Sequence, residues 1–141
     1  MVIPLRRTRM SYTASHNPIL PDRERPEWLL YPQELLDLVR SGRMPLVPWH
    51  FVHAETVASQ HRRFQSHLGR DLVPFAFRQD REDLACFEKG RGHEVFIIHD
   101  NCNAGYEDEG HFASFSDWLR DVETEAAEWA MDARWASGEA E

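Results

Sequence analysis

The sequence predicts one α+β domain, in which N-terminal helices pack on a mostly antiparallel sheet and a C-terminal helix closes the fold. Short segments rich in aromatic and β-branched residues follow one another between residues 72 and 99, separated by polar or glycine-containing turns. Stretches with helical spacing of apolar residues lie on both sides of these segments. A chain of 141 residues suits one domain with one core.

The domain is expected to cover residues 28–135. Residues 1–27 are expected to form a flexible arm, because the first 25 residues contain three prolines and show no periodicity. Met10 is an alternative start within this arm. Residues 136–141 are small and polar, and are expected to fray.

Two helices are predicted before the sheet. The first covers residues 32–40 and is followed by Gly42, which suits the left-handed position after a helix. Two prolines in residues 44–49 forbid a helix there, so an extended connector ending at Trp49 is expected. The second helix is predicted from about residue 55 to residue 68.

The sheet is predicted as an antiparallel meander of three or more strands. The segments 72–78, 84–87 and 94–99 are the strands, and Pro74 in the first indicates an edge position or a bulge. Residues 100–110 are expected to form a loop, or a loop with a weak fourth strand around Tyr106.

The closing helix has the clearest start. Ser114 is followed three residues later by Asp117, which matches a capping box with Asp in place of Glu. One face is apolar and carries Phe115, Trp118, Leu119, Val122, Ala126 and Trp129. The other face carries Asp117, Asp121, Glu123, Glu125 and Glu128. Acidic residues beyond the first turn are not favoured by the helix dipole, so their presence needs another explanation.

The core is predicted to be largely aromatic. The residues expected to pack together are Trp49, Phe75, Phe77, Phe87, Phe96, Ile98, Phe115, Trp118 and Leu119.

The net charge of −8 is unevenly distributed along the chain. Residues 1–25 carry +3, residues 26–81 carry +1, and residues 82–141 hold sixteen acidic residues against four basic ones, a net charge of −12. An acidic C-terminal portion argues against nucleic-acid binding, because phosphate contacts need a basic face. Its charge is complementary to that of a basic protein partner.

The composition indicates a cytoplasmic protein. No run approaches the roughly 18 apolar residues of a membrane span. The basic start is not followed by the apolar segment of a secretory signal. A structural disulfide between Cys86 and Cys102 is not expected in a reducing compartment. Cys86 is predicted to be a small buried apolar residue, and Cys102 to lie in a polar loop.

Histidine and cysteine residues around the third predicted strand suggest one catalytic alternative. His99, Cys102 and His111 lie near one another in the sequence and could form a metal or thiol site. None of the tight ligand spacings of metalloenzymes is present, and no catalytic or phosphate-binding motif was found. We therefore expect no catalytic residue, no metal and no cofactor, and keep a small metal- or thiol-dependent enzyme as an alternative.

Acidic residues in two predicted turns and on the last helix are the candidate partner contacts. Turns favour acidic residues for local reasons, so a solvated face is the competing interpretation. The candidates are Asp80, Asp83, Glu107, Asp108, Glu109, Asp121 and Glu125. Charge reversal of Glu107 and Asp108 together is expected to weaken partner binding more than it lowers stability.

A series of short motifs occurs in order along the chain. They are Tyr31-Pro-x-Glu34, Pro48-Trp49, Leu72-Val-Pro-Phe-Ala76, Arg78-Gln-Asp80, Asp83-x-Ala-Cys-Phe87, Val95-x-Ile-Ile-His-Asp100, Gly105-x-Glu107 and Ser114-Phe-x-x-Trp118. This series resembles the SUKH superfamily, which includes yeast cell-wall assembly regulators and many bacterial immunity proteins. It is most similar to a short bacterial branch, over about residues 28–122.

The resemblance implies an α+β fold, no enzymatic activity and no fixed catalytic residue. It implies an immunity-type protein that neutralises a toxin, often a nuclease or deaminase, by binding it. The acidic C-terminal portion adds the expectation that this toxin is basic. The first alternative is a regulatory or scaffold homodimer that pairs through an open sheet edge and has no toxin partner. The second is the small enzyme described above.

Overall fold

The computed structural model describes residues 17–100 and 102–138, and confirms the α+β class. The described residues form three helices and five strands. In chain order these are α1 (Gln33–Ser41), β1 (Trp49–Phe51), α2 (Ala54–His67), β2 (Leu72–Arg78), β3 (Asp83–Glu88), β4 (Val95–His99), β5 (Asp108–Phe112) and α3 (Phe115–Ser137).

The strands form one antiparallel sheet whose order, β1-β2-β3-β4-β5, is the order of the chain. The predicted meander is therefore confirmed, with one more strand at each edge. The predicted connector ends in β1, where Trp49 and Phe51 are buried and alternate with the half-buried His50. At the other edge, the weak strand expected around Tyr106 begins two residues later, at Asp108.

A bulge accommodates the proline of β2. Pro74 pairs with Cys86, and the register then shifts so that Ala76 pairs with Ala85. Phe75 is the extra residue between these two pairs. Because proline cannot donate a backbone hydrogen bond to a sheet, a bulge lets Pro74 lie in a strand with neighbours on both sides.

Helices α2 and α3 lie on opposite faces of the sheet. Leu84 and Ala85 are consecutive in β3, so their side chains point to opposite faces. Ile97, which pairs with Ala85, lines a cavity together with Trp118 of α3. Leu84 lines another cavity together with Gln60 of α2.

The helix ends follow from local sequence. Gly42 ends α1 in the left-handed conformation at φ 73°, a backbone geometry that costs glycine little. Ser114 Oγ accepts a hydrogen bond from Asp117 N at 3.1 Å, which confirms the predicted start of α3. Helix α2 begins at Ala54, where His53 Nδ1 accepts from Glu55 N at 3.3 Å.

The aromatic core is largely as predicted. The Phe75 ring centroid lies 4.7 Å from that of Phe87 and 4.9 Å from that of Trp118, and Trp118 packs edge-on against Trp49. Phe77 is the exception: it is only partly buried and stacks on His50. Phe77 therefore lies at the edge of the core. Cys86 is fully buried, as expected for a small apolar side chain.

The domain begins earlier than residue 28. Pro18 and Leu20 are buried, and the backbone N–H of Leu20 donates to the Tyr31 hydroxyl at 3.1 Å. Residues 17–27 therefore do not belong to a flexible arm. The expectations for residues 1–16, including the alternative start at Met10, lie outside the described residues. At the other end, α3 continues to Ser137, so residues 136 and 137 are helical.

Within the described residues, none of the helices combines the length and the apolar character needed to cross a membrane.

Candidate functional site

The seven candidate acidic residues divide into two groups around two arginines. Five lie near Arg78, at the end of β2, and two lie near Arg70, in the segment between α2 and β2. The Arg78 group consists of Asp80, Asp83, Glu109, Asp121 and Glu125; the Arg70 group consists of Glu107 and Asp108.

Arg78 neutralises two of the candidates. Its Nε donates to Asp80 Oδ1 at 2.9 Å, and its Nη2 donates to Glu125 Oε2 at 2.8 Å. Its hydrogen bonds to Asp80 lower the pKa of that carboxyl group. The guanidinium also lies over the Trp49 ring, 5.6 Å from the ring centroid. Asp80 and Glu125 thus hold Arg78 in place and contribute little free negative charge.

Arg70 holds the second group. Arg70 forms a bidentate hydrogen-bonded ion pair with Glu88. Its Nη1 also donates to Glu107 at 2.9 Å and to Asp108 at 3.0 Å. Glu107 is only 5% exposed. Burial alone would raise the pKa of Glu107, but the hydrogen bonds from Arg70 and from the Gly105 backbone N–H outweigh it, so the pKa is lowered. Glu107 is therefore a charged residue inside the fold.

Asp83 is also buried, with 2% of its surface exposed. Its carboxylate accepts a hydrogen bond from His99 Nδ1 at 2.9 Å, which raises the pKa of His99. A side chain this buried cannot contact a partner directly. The proposed contacts Asp83 and Glu107 are therefore corrected to structural residues, because both are enclosed and paired within the domain.

Glu109 and Asp121 differ from the other candidates. Both are exposed, and neither forms an ion pair with a described residue. They line the same groove, a cavity of about 280 Å³ between β5 and α3. Strand β5, on one side of the groove, is exposed at four of its five residues. Apolar side chains of Trp49, Ile97, Phe112 and Trp118 also line it.

Asp121 begins a row of carboxylates along α3. Asp121, Glu125, Glu128 and Asp132 are spaced four, three and four residues apart, which places them on one face of the helix. We call these four residues the acidic stripe. Arg78 compensates Glu125, but Glu128 and Asp132 are four residues apart and repel one another, and both lie in the second half of the helix, where negative charge is unfavourable with its dipole. The acidic stripe therefore lowers the stability of the helix that carries it.

The stripe leads to the exposed end of α3. Between residues 115 and 136 of the helix, Val122 is the last buried residue, and every residue from 130 to 136 is exposed. We call residues 130–136 the α3 tip, which is about 10 Å long at 1.5 Å per residue. Trp135 and Met131 are 62% and 57% exposed there. They are four residues apart, so their side chains are neighbours on the helix surface.

Sequence reasoning did not identify Met131 and Trp135. The signal was present: the apolar residues predicted to face the core end at Trp129, and Trp135 falls three residues after Asp132, on the side of the acidic stripe. A tryptophan outside the predicted apolar face is expected to be exposed, as Trp135 is.

The geometry does not assemble the alternative catalytic site. His111 of β5 pairs with Phe96 of β4, and Phe96 lies three residues before His99. The Nε2 atom of His111 lies 2.6 Å from Glu94 Oε1. Cys102 donates from Sγ to the His99 carbonyl oxygen at 3.3 Å. Burial, and then nearby carboxylates, raise the pKa of Cys102, whereas a catalytic thiol needs a lowered pKa. No set of three potential metal ligands occurs within residues 17–100 and 102–138.

Comparison with known proteins finds no matching family model, no matching curated protein and no matching solved structure. The resemblance to the SUKH superfamily therefore enters only as part of the proposed function.

Proposed function

We propose that this chain is a non-enzymatic, cytoplasmic protein-binding domain of immunity type, which neutralises a basic toxin partner. The observation that carries the proposal is the α3 tip, where Met131 and Trp135 are exposed at the end of an acidic stripe. The contact surface consists of the α3 tip, the acidic stripe and the rim of the adjoining groove.

The exposed apolar pair suits a binding surface. Tryptophan is among the residues that most often dominate the binding energy of protein interfaces, because its large ring is rigid and mainly apolar. Methionine adapts its shape to a partner. Within this domain Trp49 and Trp118 are buried, so exposure of Trp135 is not a general feature of its tryptophans. A partner that covers the α3 tip would remove its apolar surface from water.

The charge of the surface defines the partner's chemistry. Asp121, Glu128 and Asp132 are exposed and form no ion pair with a described residue. Complementary charge accelerates association and makes binding sensitive to salt. A basic nuclease- or deaminase-type toxin presents the opposite charge on its nucleic-acid-binding face. Covering that face would block access of the nucleic acid.

The cost of the stripe to helix stability also supports a binding role. Sequence choices that conflict with local structure are expected at functional sites rather than on neutral surfaces. Basic residues suit the last turns of a helix, and α3 carries Arg134 there, but it also carries Glu128 and Asp132 in its second half. Asp121, Glu128 and Asp132 share one face of α3 and form no ion pair with a described residue, which supports the presence of another requirement at these positions.

Capture of the partner tests the proposal. The tagged full-length chain is incubated with extract of its native cells, washed at low salt and eluted with rising salt, and the eluted proteins are identified. We expect a basic protein with the character of a nuclease or deaminase, released as salt screens the acidic stripe. The test variant is the triple change Asp121→Asn, Glu128→Gln and Asp132→Asn, which should lose the captured protein.

The matched control removes the same number of charges elsewhere. Glu24, Glu27 and Glu55 are exposed and lie outside α3, and their replacement by Gln gives the same net charge as the stripe variant. The control should retain capture. Equal loss in both variants would reduce the effect to net charge and contradict a specific surface. A second pair compares Trp135→Ala, expected to weaken capture, with Leu30→Ala, a change at another exposed apolar residue.

The homodimer alternative has one observation in its favour. Strand β5 forms an open edge of the sheet and is largely exposed, so a second copy could pair with it. Asp108 and Glu109 stand on this edge, and two copies would bring these carboxylates close together. Recovery of the chain alone, at a dimer mass that persists at high salt, would favour this alternative over the toxin partner.

A further inference from the structure

We infer that the exposed edge of β5 binds an extended strand of the basic partner through backbone hydrogen bonds, and that a large side chain of this strand lies over Gly110. The partner then continues the sheet as a sixth strand beside β5. This inference rests on the proposed function, since it gives the way in which the partner contacts the surface next to the acidic stripe.

The backbone of β5 has hydrogen-bonding groups that the domain does not use. Strand β5 pairs only with β4, and no other described residue forms a hydrogen bond with the backbone of residues 108–112. Alternate residues of an edge strand direct their N–H and C=O groups away from the sheet. Four of the five residues of β5 are exposed, so these groups are open to a partner. The opposite edge differs, because Trp49 and Phe51 of β1 are buried.

Gly110 leaves a gap in this edge that the fold does not require. The other six glycines have a positive φ, whereas Gly110 does not, so a larger residue could adopt its backbone conformation. A Cβ atom at this position would lie 3.5 Å from Ile97 Cγ1, an ordinary van der Waals distance. Glycine weakens a strand, and its presence there often marks the close approach of another backbone or a ligand. Close approach of a partner explains this glycine, whereas conformation and packing do not.

The gap at Gly110 opens into the groove between β5 and α3. Gly110 pairs with Ile97, and both residues line the cavity of about 280 Å³. The residue opposite Gly110 on an added strand would point its side chain to the same face of the sheet. A large side chain there would cover Gly110 and pack on Ile97 and Phe112, as aromatic residues do when they lie opposite an edge glycine.

The charges beside the edge favour a basic strand over a second copy of this chain. Glu109 of β5 and Asp121 across the groove are exposed and form no ion pair with a described residue. Two paired copies of β5 would bring like charges together, whereas a strand that carries Lys or Arg meets the opposite charge. Asp121 also begins the acidic stripe, so the edge adjoins the proposed contact surface.

A short strand-forming peptide is the probe. The full-length chain, labelled with ¹⁵N, is titrated with acetyl-Lys-Thr-Phe-Thr-Lys-amide while its backbone amide resonances are followed. The first control peptide carries a methyl group on each backbone nitrogen of the same sequence. It keeps the charge and the side chains but cannot donate backbone hydrogen bonds to β5. The second control peptide has glutamate in place of both lysines.

The expected result is a saturable shift of the amide resonances of β5, with nuclear Overhauser contacts between the peptide and Gly110. Backbone methylation should lower the affinity about ten-fold, the effect of losing two backbone hydrogen bonds. The glutamate peptide should bind more weakly than the lysine peptide, because it carries the same charge as the rim of the groove.

The variant Gly110→Ala separates a binding role from a structural one. Alanine fills part of the gap and suits a strand better than glycine does, so peptide affinity should fall several-fold while the melting temperature stays the same or rises. A glycine that the fold itself requires would give a lower melting temperature, and that result would contradict the inference.

Three further outcomes would overturn the inference. The first is the absence of binding up to the solubility limit of the lysine peptide. The second is equal binding of the methylated peptide, which would exclude strand pairing. The third is a dimer of the chain alone with shifted β5 amides, which would assign the edge to a second copy. Each of them leaves the proposed function standing if the partner is still captured through Trp135 and the acidic stripe, so the two failures are distinguishable.

Discussion

Arg70 Nη1 donates to the carboxylate of Glu107 at 2.9 Å, across 37 positions of the sequence. The contact joins the segment that follows α2 to the segment that precedes β5. Only 7% of the Glu107 side chain and 19% of the Arg70 side chain are exposed, so water screens the pair weakly. A residue that sequence alone assigns to a partner surface is instead part of the internal structure.

Replacement of Arg70 by Gln should therefore destabilise the domain strongly. It leaves the buried Glu107 without its cation and also removes the contact with Glu88. We expect a loss of about 3 kcal/mol in the free energy of unfolding, because one partner of a buried ion pair remains uncompensated. Urea denaturation measures the loss. Arg91→Gln is the control, because Arg70 and Arg91 both lie over the Phe96 ring but Arg91 pairs with Glu94 at the surface, so this change should cost far less stability than Arg70→Gln.

Charge reversal at Glu107 and charge reversal at Asp108 should have different effects on stability. Glu107→Lys would bury a second cation beside Arg70, and we expect a loss of about 3 kcal/mol or more in stability. Asp108→Lys changes a side chain that is 62% exposed, and should cost less than about 1 kcal/mol. Thermal unfolding of the two single variants shows which of them loses more stability. Similar losses for both would contradict the burial of Glu107.

The tryptophans of α3 should also behave differently. Trp118 is fully buried against Trp49 and Phe75, so Trp118→Ala should cost about 3–5 kcal/mol. Trp135→Ala removes an exposed side chain from the α3 tip and should change stability by less than about 0.5 kcal/mol. Chemical denaturation of both variants tests the placement of the helix. A loss below about 1 kcal/mol for Trp118→Ala would refute it.

Stability should depend on the protonation of His99. The hydrogen bond to Asp83 raises the pKa of His99 above its ordinary value of 6.5. Because the folded state binds the proton more tightly than the unfolded state, the protonated pair stabilises the fold below pH 6.5. This contribution is lost as the pH rises through the raised pKa.

Nuclear magnetic resonance titration measures the effect directly. We expect His99 to titrate above 6.5 in the natural chain and to move toward 6.5 in the Asp83→Asn variant. Unfolding experiments over the same pH window should show a smaller decrease in stability for His99→Gln than for the natural chain. A His99 pKa at or below its ordinary value would contradict the contact with Asp83.

The sequence was informative where a pattern is local. Apolar residues at helical spacing and the Ser114 cap located the helices, and β-rich segments located β2, β3 and β4. Strand β5 was expected only as a weak alternative around Tyr106, because Asp108-Glu-Gly-His-Phe112 has one apolar residue at its end and is mostly exposed. A strand with little burial has no alternating pattern to detect. Its pairing with β4 is set by the backbone rather than by side-chain burial.

The candidate site was predicted only in part. Glu109 and Asp121 are exposed at one groove, whereas Asp83 and Glu107 are enclosed. The difference depends on which distant cation reaches each carboxylate, and Arg70 meets Glu107 across 37 positions. The sequence around either residue does not predict a pairing over such a distance. Exposure of the α3 tip likewise depends on where the sheet ends, which requires the assembled structure.

The order of the strands has a kinetic consequence. Every strand of the sheet pairs only with its neighbours in the chain, so the sheet can form from successive hairpins with short loops to close. The contact of Trp118 with Trp49 spans almost half of the chain and depends on α3 returning across the completed sheet. We therefore expect helix docking to follow the rate-limiting step of folding. Loss of the Trp118 side chain would then accelerate unfolding far more than it slows refolding.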